Sequence, residues 1–148
     1  MVLNSGSIVV KSTPSSIVEA WGPILSGLEA NNFSEEDIFA VHLAMEEAFL
    51  NAVKHGNKMD SSKKVKVDYS AGSDKVKISI TDEGNGFDPG ILPDPRCGEN
   101  IYKAEGRGVF LIRSYMSAVE FNEQGNCIRM IRYKESQDPA KNKNRGRG

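Results

Sequence analysis

Cysteine is scarce in this chain: Cys97 and Cys127 are the two present, far apart, with no CxxC pair and no Cys/His cluster near either. That spacing argues against a disulfide framework and against a zinc site, leaving reduced thiols in a cytoplasmic protein as the expectation. Long apolar runs are missing as well, none approaching the roughly 18 residues that a membrane span needs. The opening "MVLNSGSIVVKSTP" has no basic stretch followed by an apolar core, so no export signal and no membrane association are expected. Neither sign of charge dominates. A formal net charge of -1, with 26% charged and 39% hydrophobic residues, gives no pull toward nucleic acid. There is no internal repeat.

What is there fits one domain: 148 residues can bury a substantial core but are too few for two ordinary domains. "SIVVKS" (7 to 12) reads as a strand, and Thr13-Pro14 opens a helix with proline at its first position. Gly22 and Pro23 fall inside that helix and predict a kink or short break. "SEED" (34 to 37) is a capping-box variant in which Ser34 accepts from the backbone three residues on and Asp37 reaches back. The second helix is expected to run to about His55, with Gly56 as a left-handed stop. "KKVKVDYS" and "KVKISITDE" alternate around "AGSD" and predict a hairpin, with Val65, Val67 and Tyr69 on one face and Val76, Ile78 and Ile80 on one face of the partner. Residues 88–108, rich in Gly, Pro and charge, predict a long surface loop of the kind that is usually functional or disordered. "GVFLIRSYM" reads as a helix and "AVEFNEQGNCIRMIRYK" as a closing hairpin. The domain is expected to end at about residue 134, with 135–148 a polar, basic, disordered tail.

The second helix poses a chemical question. Glu47, Asn51 and His55 are four residues apart on a segment otherwise rich in Ala, Leu, Phe and Val. A step of four advances only about 40° around a helix, so the three form one slowly turning stripe. Ile38, Val41, Met45, Ala48 and Ala52 make the main apolar face, and Leu43, Phe49 and Leu50 extend it. A carboxylate and an amide beside such a face need partners, water or a ligand; solvated residues at the core's edge are the plain alternative. "DEGNGFDP" follows a strand, placing Asp82 at the strand end and Gly84 and Gly86 where backbone must approach something closely. "EGRGVFLIR" puts Gly106 and Gly108 at the mouth of a helix, where free N–H groups and the dipole favour phosphate. Each glycine pattern alone is weak, since strands often end in Gly-rich turns. In order and at this spacing the three are specific.

E-x-x-x-N-A-x-x-H-G, D-x-G-x-G-F-D-P and G-x-G-V-F-L-I-R resemble the N, G1 and G2 boxes of the GHKL ATPase superfamily. The short length, the strand and helix ahead of the N box, and "GRGVFLIRSYMSAVEF" most resemble the anti-sigma-factor serine kinases of bacterial partner-switching systems. The resemblance spans about residues 7–133. It implies an α+β fold, the Bergerat two-layer α/β sandwich, with a mixed, mostly antiparallel sheet and helices on one face. It implies that Asp82 accepts from the adenine amino group of ATP, that Gly84 and Gly86 let backbone close over the ring, and that Asn51 binds Mg²⁺. Glu47 would be the general base toward a serine hydroxyl. His55 would take a place at the helix end, either near the nucleotide or structural. Residues 88–108 would form the ATP lid, with Gly106 and Gly108 giving backbone N–H groups to phosphate and Arg107 and Val109 beside them.

Phosphoryl transfer asks for positioning and charge neutralisation more than covalent chemistry. Mg²⁺ favours few protein oxygens plus phosphates and water, and a carboxylate one turn from its ligand suits a base. The implied partners are an anti-anti-sigma (STAS-type) protein bearing the acceptor serine, a sigma factor and a second copy of the chain. Where some relatives carry a lid arginine, this chain has "YKAEGRG", so Lys103 or Arg107 would have to substitute, surface charge being the other role open to each. Ser117 stands where relatives often have an acidic residue. A sensor histidine kinase needs a phospho-accepting helix, and a strand-passing or repair ATPase a transducer domain; neither is expected here. The alternative to a kinase is a non-phosphorylating, ATP-gated protein-binding module.

Overall fold

A computed structural model of the chain describes residues 4–84, 111–122 and 126–134. The strands are β1 (Asn4–Lys11), β2 (Lys64–Ala71), β3 (Lys75–Asp82), β4 (Ala118–Phe121) and β5 (Cys127–Tyr133). They form one sheet in the order β1-β2-β3-β5-β4, and all its pairings are antiparallel. The helices are α1 (Ile17–Ala30), entered through a 3-10 turn at Pro14–Ser16, and α2 (Glu35–Asn51), continued by a π-helical turn at Ala52–Gly56. A further helical turn covers residues 111–115. This is the expected α+β sandwich, although among the described residues the sheet is antiparallel throughout and not mixed.

Alternation in the strands decides the layering, because every second residue faces the same side. The register aligns these residues in rows: Val10, Val65 and Asp82; Ile8, Val67, Ile80, Ile128 and Phe121; Gly6, Tyr69, Ile78, Met130 and Val119; Asn4, Ala71, Val76 and Arg132. The apolar members of the central rows are buried or packed against the core, and both helices cover that face. Asp82 therefore occupies a core-facing position in the end row.

The helix α1 runs from Ile17 to Ala30 with Pro23 inside it, so the expected short break does not occur. Ala20, Ile24, Gly27 and Leu28 bury one face of α1 against β1 and β2. Two fully buried aliphatic side chains, worth roughly 1.5–3 kcal/mol each, offset the bond that proline removes. At Gly27 a Cβ would come within 3.1 Å of Asn4 and 3.2 Å of Ala71, so its bare backbone lets α1 approach the sheet. The Trp21 and His42 rings meet in a T-shaped contact, 4.7 Å between centroids, that joins α1 to α2.

Candidate functional site

The start of α2 is fixed first. Ser34 Oγ accepts from the Asp37 N–H at 3.0 Å, as the capping pattern predicts. The fully buried Asp37 carboxylate also binds Arg132 on β5, with Oδ1 taking Nε at 2.9 Å and Nη2 at 2.8 Å. Arg132 Nη1 donates in turn to the Tyr115 carbonyl. One arginine thus ties the first turn of α2 to β5 and to the helical turn at 111–115. From that anchor Val41, Ala44, Met45, Ala48 and Phe49 descend buried into the core.

Glu47 and Asn51 are both half-buried on α2, beside this apolar stripe. At Ala52 the winding widens: the Asn57 N–H bonds back five residues to the Ala52 carbonyl at 2.8 Å. This π turn is the kind of irregularity that often marks functional positions. The stripe of four-residue steps therefore holds from Glu47 to Asn51 but not to His55, which is exposed within the wider turn. Gly56 is not the left-handed stop that was expected: it lies within the π turn without a left-handed φ, and the positive φ values just beyond it belong to Lys58 (52°) and Met59 (61°).

Gly56 has a different reason to be glycine. A Cβ there would overlap the Asp82 carboxylate, and a Cβ on Gly84 would overlap the Gly56 carbonyl. The end of the N-box helix and the first G1 glycine are thus in direct backbone contact over the Asp82 side chain. Asp82 Oδ1 accepts from the Gly84 N–H at 2.8 Å. The Asp82 backbone is held from the other side by Asn126, whose carbonyl accepts its N–H at 2.9 Å and whose Nδ2 donates to its carbonyl at 3.3 Å. Burial pushes the Asp82 carboxyl above its usual value, opposed by the Gly84 N–H and the Lys63 charge. A half-buried carboxylate at a strand end, packed closely by two glycine backbones, suits a ligand that donates a hydrogen bond.

Asn57 is a site neighbour with only a weak signal in the sequence, that of a polar residue directly after His-Gly. It is fully buried. Its Nδ2 donates to Ser12 Oγ and to the Lys64 carbonyl, both at 2.9 Å, and its Oδ1 accepts from the Glu83 N–H at 2.8 Å. The Glu83 carboxylate in turn accepts from the Lys64 N–H. Ser117, singled out in the sequence, joins β4 to β5: its Oγ accepts from the Tyr133 N–H at 3.0 Å and its N–H donates to the Ile131 carbonyl.

Gly86, the lid at 88–108 with Lys103, and Gly106, Arg107, Gly108 and Val109 lie outside the described residues. Among the described residues no group of three or more His, Cys, Asp or Glu side chains could hold a metal ion by itself. None of their helices is long and apolar enough to cross a membrane.

With an N-box helix packed on a strand-end aspartate, the architecture is that of a GHKL-type nucleotide-binding domain. Residues 10–132 match the family described as "Histidine kinase-like ATPase domain". "Serine-protein kinase RsbW" of Listeria innocua serovar 6a is 30% identical over 117 residues, 74% of each chain. "Serine-protein kinase RsbW" of Staphylococcus epidermidis is 36% identical over 108 residues, 68% of each chain. The chain belongs to the anti-sigma-factor serine kinase family of the GHKL ATPases.

Proposed function

We propose that this protein is an ATP-dependent protein serine kinase and anti-sigma factor of a partner-switching system, phosphorylating a serine of a STAS-type anti-anti-sigma protein and sequestering a sigma factor. The observation that carries the reading is the contact of Gly56 and Gly84 over Asp82, which joins the N box to the G1 motif. What supports the purine reading is that Asp82 Oδ1 takes the Gly84 N–H and, among the described residues, no other donor hydrogen-bonds the carboxylate. Asp82 accepts the exocyclic amino hydrogen of adenine, which guanine, with a carbonyl at the same position, does not offer. Bound Mg-ATP supplies the transferable phosphoryl group and the metal that neutralises its charge. Asn51 would ligate Mg²⁺ through its amide oxygen, in keeping with an ion that takes few protein oxygens. Glu47, one turn earlier on the same side of α2, removes the proton of the acceptor serine as its oxygen attacks. His55, Gly86, Gly106, Arg107, Gly108 and Val109 complete the nucleotide site in this proposal, and 88–108 is the lid. The working unit is a cytoplasmic homodimer of domains spanning 1–134, each with a polar tail at 135–148.

The test is transfer of γ-labelled phosphate from Mg-ATP to proteins of the source cell's lysate, by the native chain and by Glu47→Ala and Asn51→Ala. One small protein labelled on serine by the native chain, and by neither variant, is the expected result. No labelling by a native chain that binds Mg-ATP would reject the kinase and leave an ATP-gated binding module.

A further inference from the structure

We propose that Asn57 is a positioning residue that sets the adenine-recognition turn, holding residues 82–84 in register with the end of the N-box helix. The proposal rests on the reading of Asp82 as the adenine-binding carboxylate. Asn57 directly follows Gly56, whose backbone must lie against both Asp82 and Gly84. Its side chain spans three segments, with Oδ1 on the Glu83 N–H, and Nδ2 shared between Ser12 beyond β1 and the Lys64 carbonyl at the start of β2. Glu83 is the residue between Asp82 and Gly84. Fixing its N–H therefore fixes the peptide that carries the Asp82 carbonyl, and so the direction in which the Asp82 carboxylate leaves the strand.

The bond is well protected. Asn57 is 0% exposed, so water is not at hand to replace the amide when it is removed. The π turn contributes to the same placement: by bonding the Asn57 N–H to Ala52, it brings the Asn57 side chain under the turn it holds. Without Asn57 the Glu83 N–H loses its acceptor, and the turn gains conformations in which Asp82 no longer faces the cradle. Each such conformation lowers apparent ligand affinity by the fraction of molecules that leave the competent state.

A second buried asparagine supplies the control. Asn31, 5% exposed, also joins several segments, with Nδ2 donating to Gly27 and Ala71 carbonyls at 2.9 and 3.2 Å. It lies beside the Asn4–Ala71 row, at the opposite end of the sheet from Asp82. Loss of either asparagine should cost similar stability, but only Asn57 touches the adenine turn.

The experiment compares the full native chain with Asn57→Ala and Asn31→Ala by amide hydrogen exchange without nucleotide and by ATP and GTP titration. In Asn57→Ala the Glu83 and Gly84 amides should exchange at least about tenfold faster, and the Kd for ATP should rise roughly tenfold, with a smaller ATP-to-GTP preference. Asn31→Ala should leave both readouts unchanged at temperatures where it is folded. If Asn57→Ala does not fold, Asn57→Ser, with a hydroxyl too short to span the partners, should shift the same readouts in the same direction. Slow Glu83 and Gly84 amides in an Asn57 variant would overturn the proposal, as would equal losses of affinity in Asn57→Ala and Asn31→Ala. Failure of the native chain to bind ATP would reject the ATP site itself, while the exchange measurement would still decide whether Asn57 sets the turn.

Discussion

Gly56 lies so close over Asp82 that no side chain fits between them, although the two come from different layers of the fold. The helix layer supplies the glycine and the sheet supplies the carboxylate. Their contact closes one side of the candidate adenine site.

Two glycine substitutions should therefore part company. At Gly22, in the exposed middle of α1, an added Cβ meets nothing within 4 Å, and Gly22→Ala should stabilise the chain by about 0.5–1 kcal/mol through helix propensity. At Gly56 the added methyl must displace the Asp82 carboxylate, so Gly56→Ala should destabilise by about 1–3 kcal/mol and abolish ATP binding. Denaturant unfolding with ATP titration reads both effects; a Gly56→Ala protein with native affinity would refute the close packing.

Asp82 should oppose folding at neutral pH. Burial raises its pKa above 3.8, so the folded state favours the protonated carboxyl. Its stabilising contribution is present in full below the unfolded value and is lost as pH rises through the folded one. Asp82→Asn should accordingly raise the Tm of the nucleotide-free chain at pH 7 by about 1–2 °C, with the difference shrinking in acid. The same substitution should weaken ATP binding at least about tenfold, since the amide answers the adenine amino group less well. A lower Tm at pH 7 would contradict the desolvation argument.

The Asp37–Arg132 pair should be strongly coupled. Removing Asp37 strands a mostly buried guanidinium, and Asp37→Ala should cost about 3–5 kcal/mol. Replacing both partners by apolar residues, Asp37→Leu with Arg132→Met, should recover much of that loss. A double-mutant cycle in urea checks this, and additive single effects would argue against the pair.

The Ser34 cap predicts a smaller effect. Ser34→Ala removes the acceptor of the Asp37 N–H and should cost about 1 kcal/mol, measured by the same unfolding experiment. A cost near zero would show that the Asp37 ion pair alone holds the first turn of α2.

Much of this was determined by the sequence. Alternating Val76, Ile78 and Ile80 fixed the parity of β3, and the same parity carries Asp82 to the core side, because side chains in a strand repeat every two residues. Ser34 marked the start of α2, since an N-cap hydroxyl bonds within its own turn. The four-residue step likewise put Glu47 and Asn51 on one side of α2, because that geometry is local to the helix. Tertiary structure decided the rest. Pro23 stays inside a helix because packing against β1 and β2 outweighs a lost local bond. The helix winding widens before His55, and Gly56 is required by a carboxylate from another layer, which no local φ preference could reveal. Asn57 reads as an ordinary loop residue until β1, β2 and β3 bring Ser12, Lys64 and Glu83 around it. Contacts between residues distant in sequence depend on how the layers meet, and a single chain's local patterns do not encode that meeting directly.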